Sequence, residues 1–161
     1  MSQLKVNSII PVAGVPTGGG GGIIQIKQTV KTDTFSESLS ANTNSSTNCI
    51  EVSITPTSTS SKILVTVHQN GARSQSDQNN NCIYLKLLRD STDISQIFVY
   101  ALYTGSGIDL YGASLSTSFL DSPSTTSATT YKTQFKNFVS GGHVRLQDTA
   151  AMSTITLMEI L

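Results

Sequence analysis

Residues 52–67, VSITPTSTSSKILVTV, confine this chain to β structure more tightly than any other stretch. Val52 and Ile54 alternate with Ser53 and Thr55, and Ile63, Val65 and Val67 alternate with Leu64, Thr66 and His68. That two-residue period marks half-buried strands. Pro56 has no N–H to give a ladder and fixes its own φ, so it belongs in a Pro/Ser/Thr turn. The reading is a pair of strands, joined by that turn, at the centre of the fold.

The same pattern recurs along the chain. Residues 23–30 place Ile24 and Ile26 on one face against Gln25 and Lys27, and residues 32–37 form a short extended piece around Phe35. Residues 82–89 put Ile83, Leu85 and Leu87 on one side and connect tightly through 89–93 to residues 94–103, the clearest hairpin in the sequence. Further strands are expected over 113–121, 131–139, where Tyr131, Thr133 and Phe135 alternate with Lys132, Gln134 and Lys136, and over 143–147 and 153–161. Between them lie polar loops at 38–48, 70–81, 104–112 and 122–130, rich in Ser, Thr, Asn and Gly. No window sustains a 3.6-residue apolar period with a capping signal, so essentially no helix is expected. About nine or ten short strands separated by turns predict an all-β fold, an antiparallel β-sandwich of jelly-roll type. Apolar Ile160 and Leu161 suit the middle of a sheet or an interface, and both are nominated for a subunit interface.

Ahead of this body, residues 1–22 read as an extended N-terminal arm. Val6, Ile9, Ile10, Val12 and Val15 are interspersed with Pro11 and Pro16, which excludes a helix. Such an arm is poorly solvated on its own and is expected to lie along another subunit, adding hydrogen bonds to an exposed sheet edge. The five glycines at 18–22 lack the Gly-Lys-Ser/Thr ending of a phosphate loop and read as a hinge. The β-domain then spans 23–161.

Composition narrows the function classes. Ten basic and ten acidic residues cancel and are scattered, so no nucleic-acid partner is expected. No apolar run approaches the roughly 18 residues of a spanning helix, so no membrane insertion is expected, and residues 1–17 do not read as a secretory signal. Charged residues make up 12% of the chain, about half the usual share. Serine and threonine take their place, and contacts through such a surface depend little on salt. Cys49 and Cys82 each begin a strand and read as small buried hydrophobes; whether they pair is left open.

No catalytic constellation emerges. Only His68 and His143 could serve a serine nucleophile, both at strand ends, and no G-x-S-x-G elbow exists. Asp90 and Asp93 form the closest acidic pair, in a connection where Asp is a turn former. Asp77, Asn79 and Asn80 lack the glycine and closing Glu of a Ca²⁺ loop. No enzyme activity, metal or cofactor is expected. Tyr103 and Tyr111, flanking the glycine-rich connection, are nominated for receptor contact by stacking on sugars.

Four segments, KTDTFS (31–36), SITPTSTSSKILV (53–65), LLRDST (87–92) and STITLMEI (153–160), together resemble a β-domain of virion appendage and decoration proteins of tailed bacteriophages, notably those of cyanobacteria. The opening LKVNSI (4–9) is similar to starts in such proteins. The resemblance covers 23–161 and implies a jelly-roll module similar to tumour-necrosis-factor-like domains, forming homotrimers. It implies a virion location after assembly in the host cytoplasm, with the major capsid protein or other virion proteins as partners. A capsid decoration (cement) protein is the leading expectation, since no shaft is present. A tail or head fibre binding host-surface glycan is the alternative.

Overall fold

In this computed structural model the described residues are 22–75, 81–104, 110–137 and 142–161. They form ten strands: β1 (Ile23–Lys31), β2 (Phe35–Leu39), β3 (Ile50–Ile54), β4 (Lys62–Gln75), β5 (Asn81–Arg89), β6 (Thr92–Thr104), β7 (Leu110–Asp121), β8 (Thr129–Asn137), β9 (Gly142–Leu146) and β10 (Ser153–Ile160). Among the described residues the only helical element is a 3-10 turn at Asp148–Ala150.

Pairing follows one rule. β1 pairs with β10, β2 with β9, β3 with β8, β4 with β7 and β5 with β6, all antiparallel. The body is therefore a long two-stranded ribbon, folded at the Asp90–Ser91 turn, where Asp90 takes φ 52. Cross-links of β4 with β10 and β9, and of β5 with β8, roll this ribbon into two layers. One layer is a six-stranded sheet, β1-β10-β4-β9-β2 with β7 on the other side of β4, and the second is β3-β8-β5-β6. Nested pairs rolled into two antiparallel layers make an all-β sandwich of jelly-roll type, as the alternation predicts.

The interior repeats the sequence period. Ile63, Val65 and Val67 of β4, Ile155 and Leu157 of β10, and Val52, Ile54, Leu87 and Tyr131 of the opposite layer make one apolar cluster. Phe35, Cys49, Leu85, Phe135, Val144 and Leu146 anchor the other, with Phe35 and Phe135 edge to face at 5.2 Å. Beside the first cluster, Arg89 of β5 holds both carboxylate oxygens of Asp121 at 3.0 and 2.9 Å, and the Tyr131 hydroxyl donates to the same carboxylate at 2.7 Å. Burial, then this carboxylate, push the Tyr131 phenol well above the ordinary tyrosine range. Tyr131→Phe strips one donor from a nearly buried anion, and the variant is expected to lose about 1–2 kcal/mol in urea unfolding at pH 7.

Several expectations are corrected. β3 and β4 do not pair; residues 55–61 carry the chain from one layer to the other, with Pro56 buried in the crossing. Alternation states that a segment is a strand and which face it buries, not its partner. Residues 70–75 are not loop but the continuation of β4, and 110–112 belong to β7. His68 accordingly lies within β4, not at a strand end. β4 needs its 14 residues because β10 and β9 lie end to end along one of its edges, at 62–68 and 73–75. Between those stretches β4 bulges at Asn70–Gly71, and the β9–β10 link passes over the bulge.

Candidate functional site

On the six-stranded sheet, residues of β10 and β4 that alternate with the buried ones face outward, and register aligns them into rows. Ile26 of β1 opposes Met158 of β10, Met158 opposes Leu64 of β4, and Leu64 opposes Leu120 of β7. Four apolar side chains thus cross four strands in one line, with Ile26 56% and Leu120 55% exposed. In the neighbouring row Ile23, also 56% exposed, opposes Ile160. The nominated Ile160 belongs to this patch, and Leu161, bonded through its N–H to the Gly22 carbonyl, sits at its end.

Beyond the patch the same face turns to hydroxyls and amides. Gln28 donates to Thr156 at 2.8 Å, Thr66 meets Ser118 at 3.4 Å, and His68 Nδ1 meets Ser116 at 2.5 Å. His143 of β9 has Ser36 on Nε2 at 2.6 Å and Ser38 on Nδ1 at 2.8 Å. With serines on both ring nitrogens, no acid is left a position from which to orient that imidazole as a base. Arg145 shares this face, opposite Ser36 on one side and Arg73 on the other.

Under the patch, on the inward side, lies Glu159. It is fully buried yet accepts four hydrogen bonds: from Gln25 Nε2 at 2.7 Å, Thr57 N at 2.6 Å, Thr57 Oγ1 at 2.7 Å and Ser61 Oγ at 2.6 Å. Burial alone would raise its pKa, but the donors led by Ser61 and Gln25 outweigh it and hold the carboxyl down at about 2. The charge fastens β1 and the 55–61 crossing to β10 beneath the patch.

Elsewhere, an open groove of about 610 Å³ lies between the end of β1 and the segment entering β3, with Val30, Lys31 and Asp33 on one wall and Asn48, Cys49 and Glu51 on the other. Cys49 is buried and free. Burial pushes its thiol up to about 12, so it stays protonated and inert at neutral pH, the small hydrophobe that its position predicts. Cys82 lies on β5.

The remaining nominees are placed as follows. Tyr103 lies on β6 and Tyr111 on β7, in different layers and on strands instead of loop rims. Tyr111 stands across from Arg73 in the ladder. The arm residues Val6, Ile9, Ile10, Val12 and Val15, and Asp77, Asn79 and Asn80, lie outside the described residues. Asp90 accepts from the Thr130 N–H at 2.9 Å and Asp93 pairs with Lys86, both structural tasks. Among the described residues no group of three His, Cys, Asp or Glu could hold a metal ion, and no helix is long and apolar enough to cross a membrane.

Sequence reading missed the patch as a unit. Leu64, Leu120 and Met158 each occupy the outward phase of a legible alternation, which is the signal that could have found them. Their alignment depends on the registers of β1, β10, β4 and β7.

No family model matches the chain, and no curated protein matches it. Among solved structures it is similar to infectious bursal disease virus, Gx strain, at 10% identity and a TM-score of 0.41, covering 98% of this chain and 44% of that one. It is also similar to the infectious bursal disease virus VP2 subviral particle, at 9% identity and a TM-score of 0.36, covering 86% of this chain and 40% of that one. The chain spans less than half the length of either.

Proposed function

We propose that this chain is a structural protein of a bacteriophage virion, a capsid decoration protein whose jelly-roll body self-associates into a trimer while residues 1–22 tether it to the shell. The outward apolar line Ile26–Met158–Leu64–Leu120, continued by Ile23 and Ile160, carries the reading. It is a run of apolar side chains adjacent in the ladder, beside a row of hydroxyls and amides at Gln28, Thr156, Thr66 and Ser118, the pattern of a face meant to be covered. It also borders Gly22 and Ile23, where the apolar arm joins the body, so one region of the surface serves both self-association and anchoring. The segments that resemble phage virion β-domains support the same assignment.

The test is oligomeric state. Light scattering of the full chain at micromolar concentration is expected to give a trimer. The double substitution Leu64→Glu and Met158→Glu places two charges on the patch without touching the core, and should leave a folded monomer by circular dichroism. A monomeric wild-type protein would end the trimer reading. Position and copy number in an averaged map of the particle then separate decoration, spread over the shell, from a fibre at few sites.

A further inference from the structure

We propose that the sandwich holds internal water at the waist of its core, between Gln69 of β4 and the Gln147–Ser153 pair of the β9–β10 link. Buried polar residues separate the two apolar clusters there. On β4, Val67 belongs to one cluster and Ala72 to the other, with Gln69 fully buried between them. Leu146 and Ile155 lie in opposite clusters, and the chain between them buries Gln147 and Ser153 completely. In the facing layer Thr133, also fully buried, stands between Tyr131 of one cluster and Phe135 of the other. Gln69 continues the inward phase of Ile63, Val65 and Val67, and its ladder partner Leu115 is a core residue. Its amide therefore points into the interior.

Gln69 Nε2 and Oε1 are both buried without a hydrogen-bond partner, and so is Gln147 Oε1. Gln147 is pinned: its N–H donates to Asn70 O at 2.9 Å and its Nε2 to Ser153 Oγ at 2.7 Å. Ser153 Oγ also accepts from the N–H of Asn70, the residue after Gln69, at 3.0 Å, so both glutamines converge on one place. Both bonds use the serine hydroxyl as acceptor, which leaves its own proton to give. The groups left over are two donors, Gln69 N–H and Ser153 O–H, and two acceptors, the Oε1 atoms of Gln69 and Gln147. Buried amides left unmade are costly. A cation would take the oxygens but confront the N–H of Gln69. Water donates twice and accepts twice, and so serves both kinds of group.

The test is oxygen-17 relaxation dispersion of water in solutions of the full chain, which detects molecules held inside the protein for longer than it takes to tumble. Gln69→Met, similar in length but without hydrogen-bonding amide atoms, should lower the dispersion amplitude relative to wild type. It should also lower the melting midpoint by about 5 °C, because Gln147 Oε1 and Ser153 lose the water that serves them. An amide buried dry gives the reverse, a higher midpoint, since the substitution then removes two unmade hydrogen bonds. Water-to-amide nuclear Overhauser effects at Gln69 Nε2 in the wild type decide the matter without a variant, and are expected. An undiminished amplitude in folded Gln69→Met, a raised midpoint, or no Overhauser effect at the Gln69 amide overturns the site.

Discussion

Gly71→Ala is expected to cost about 3 kcal/mol, lowering the melting midpoint by about 10 °C. Gly71 has φ 62, a left-handed conformation that costs an alanine about 1 kcal/mol. A Cβ there would also stand 2.6 Å from the backbone nitrogen of Asp148 and 3.0 Å from its carbonyl oxygen. Main chain cannot swing aside as a side chain can, and the link above is already committed. Gln147, Thr149 and Ala150 all have positive φ, at 53°, 58° and 61°. Gln147 N–H donates to Asn70 O, Asn70 N–H to Ser153 Oγ, and Asn70 Nδ2 to Met152 O. Differential scanning calorimetry of Gly71→Ala beside Gly22→Ala, whose Cβ would meet nothing within 4 Å, separates the clash from a general loss of glycine freedom. Equal midpoints for the two variants would show that the bulge does not depend on close approach.

Glu159→Gln should cost about 2–3 kcal/mol at pH 7. The new amide oxygen can still receive Thr57 and Ser61, but its NH₂ would face the donating Nε2 of Gln25, leaving two donors opposed in a buried place. The pH dependence gives a sharper test. The folded-state pKa of about 2 lies below the ordinary 4.5. A lowered carboxyl pKa stabilises the fold fully above the unfolded value, and that contribution declines as pH falls toward the folded one. The gap between wild type and variant should therefore be full at pH 7, shrink between 4.5 and about 2, and close below that. Denaturant midpoints for both proteins across this range check it, and a gap independent of pH would show that Glu159 acts through shape and not charge.

How much of this was legible beforehand depends on which physical signal each feature carries. Residues that alternate in phase, such as Ile63, Val65 and Val67 or Tyr131, Thr133 and Phe135, announce strand and buried face together, and the structure keeps both assignments. The β5–β6 hairpin was readable because its turn residues are adjacent in sequence. Partner choice was not. The proximity of 52–54 to 62–67 suggested a pair, whereas the core is completed by β8 on one and by β10 and β7 on the other. Residues 70–75 looked like loop because Asn70-Gly71 is turn chemistry, and here that chemistry serves a bulge inside a strand. Glu159 was in plain sight in the inward phase of Ile155 and Leu157, yet its donors come from positions about 100 or more residues away. Cross-strand rows of the Arg145–Arg73 kind need registers that no local pattern encodes.

Nested pairing also imposes an order of events on biogenesis. The Asp90 turn can close early, whereas the bond from Gln25 to Glu159 joins positions 134 residues apart and must wait for nearly the whole ribbon to zip. Because Ile26 and Met158 belong to the outermost pair, the apolar line they complete with Leu64 and Leu120 is whole only once that pair has closed. Under the proposed self-association, only chains that have closed this outermost pair present the whole surface through which it would occur.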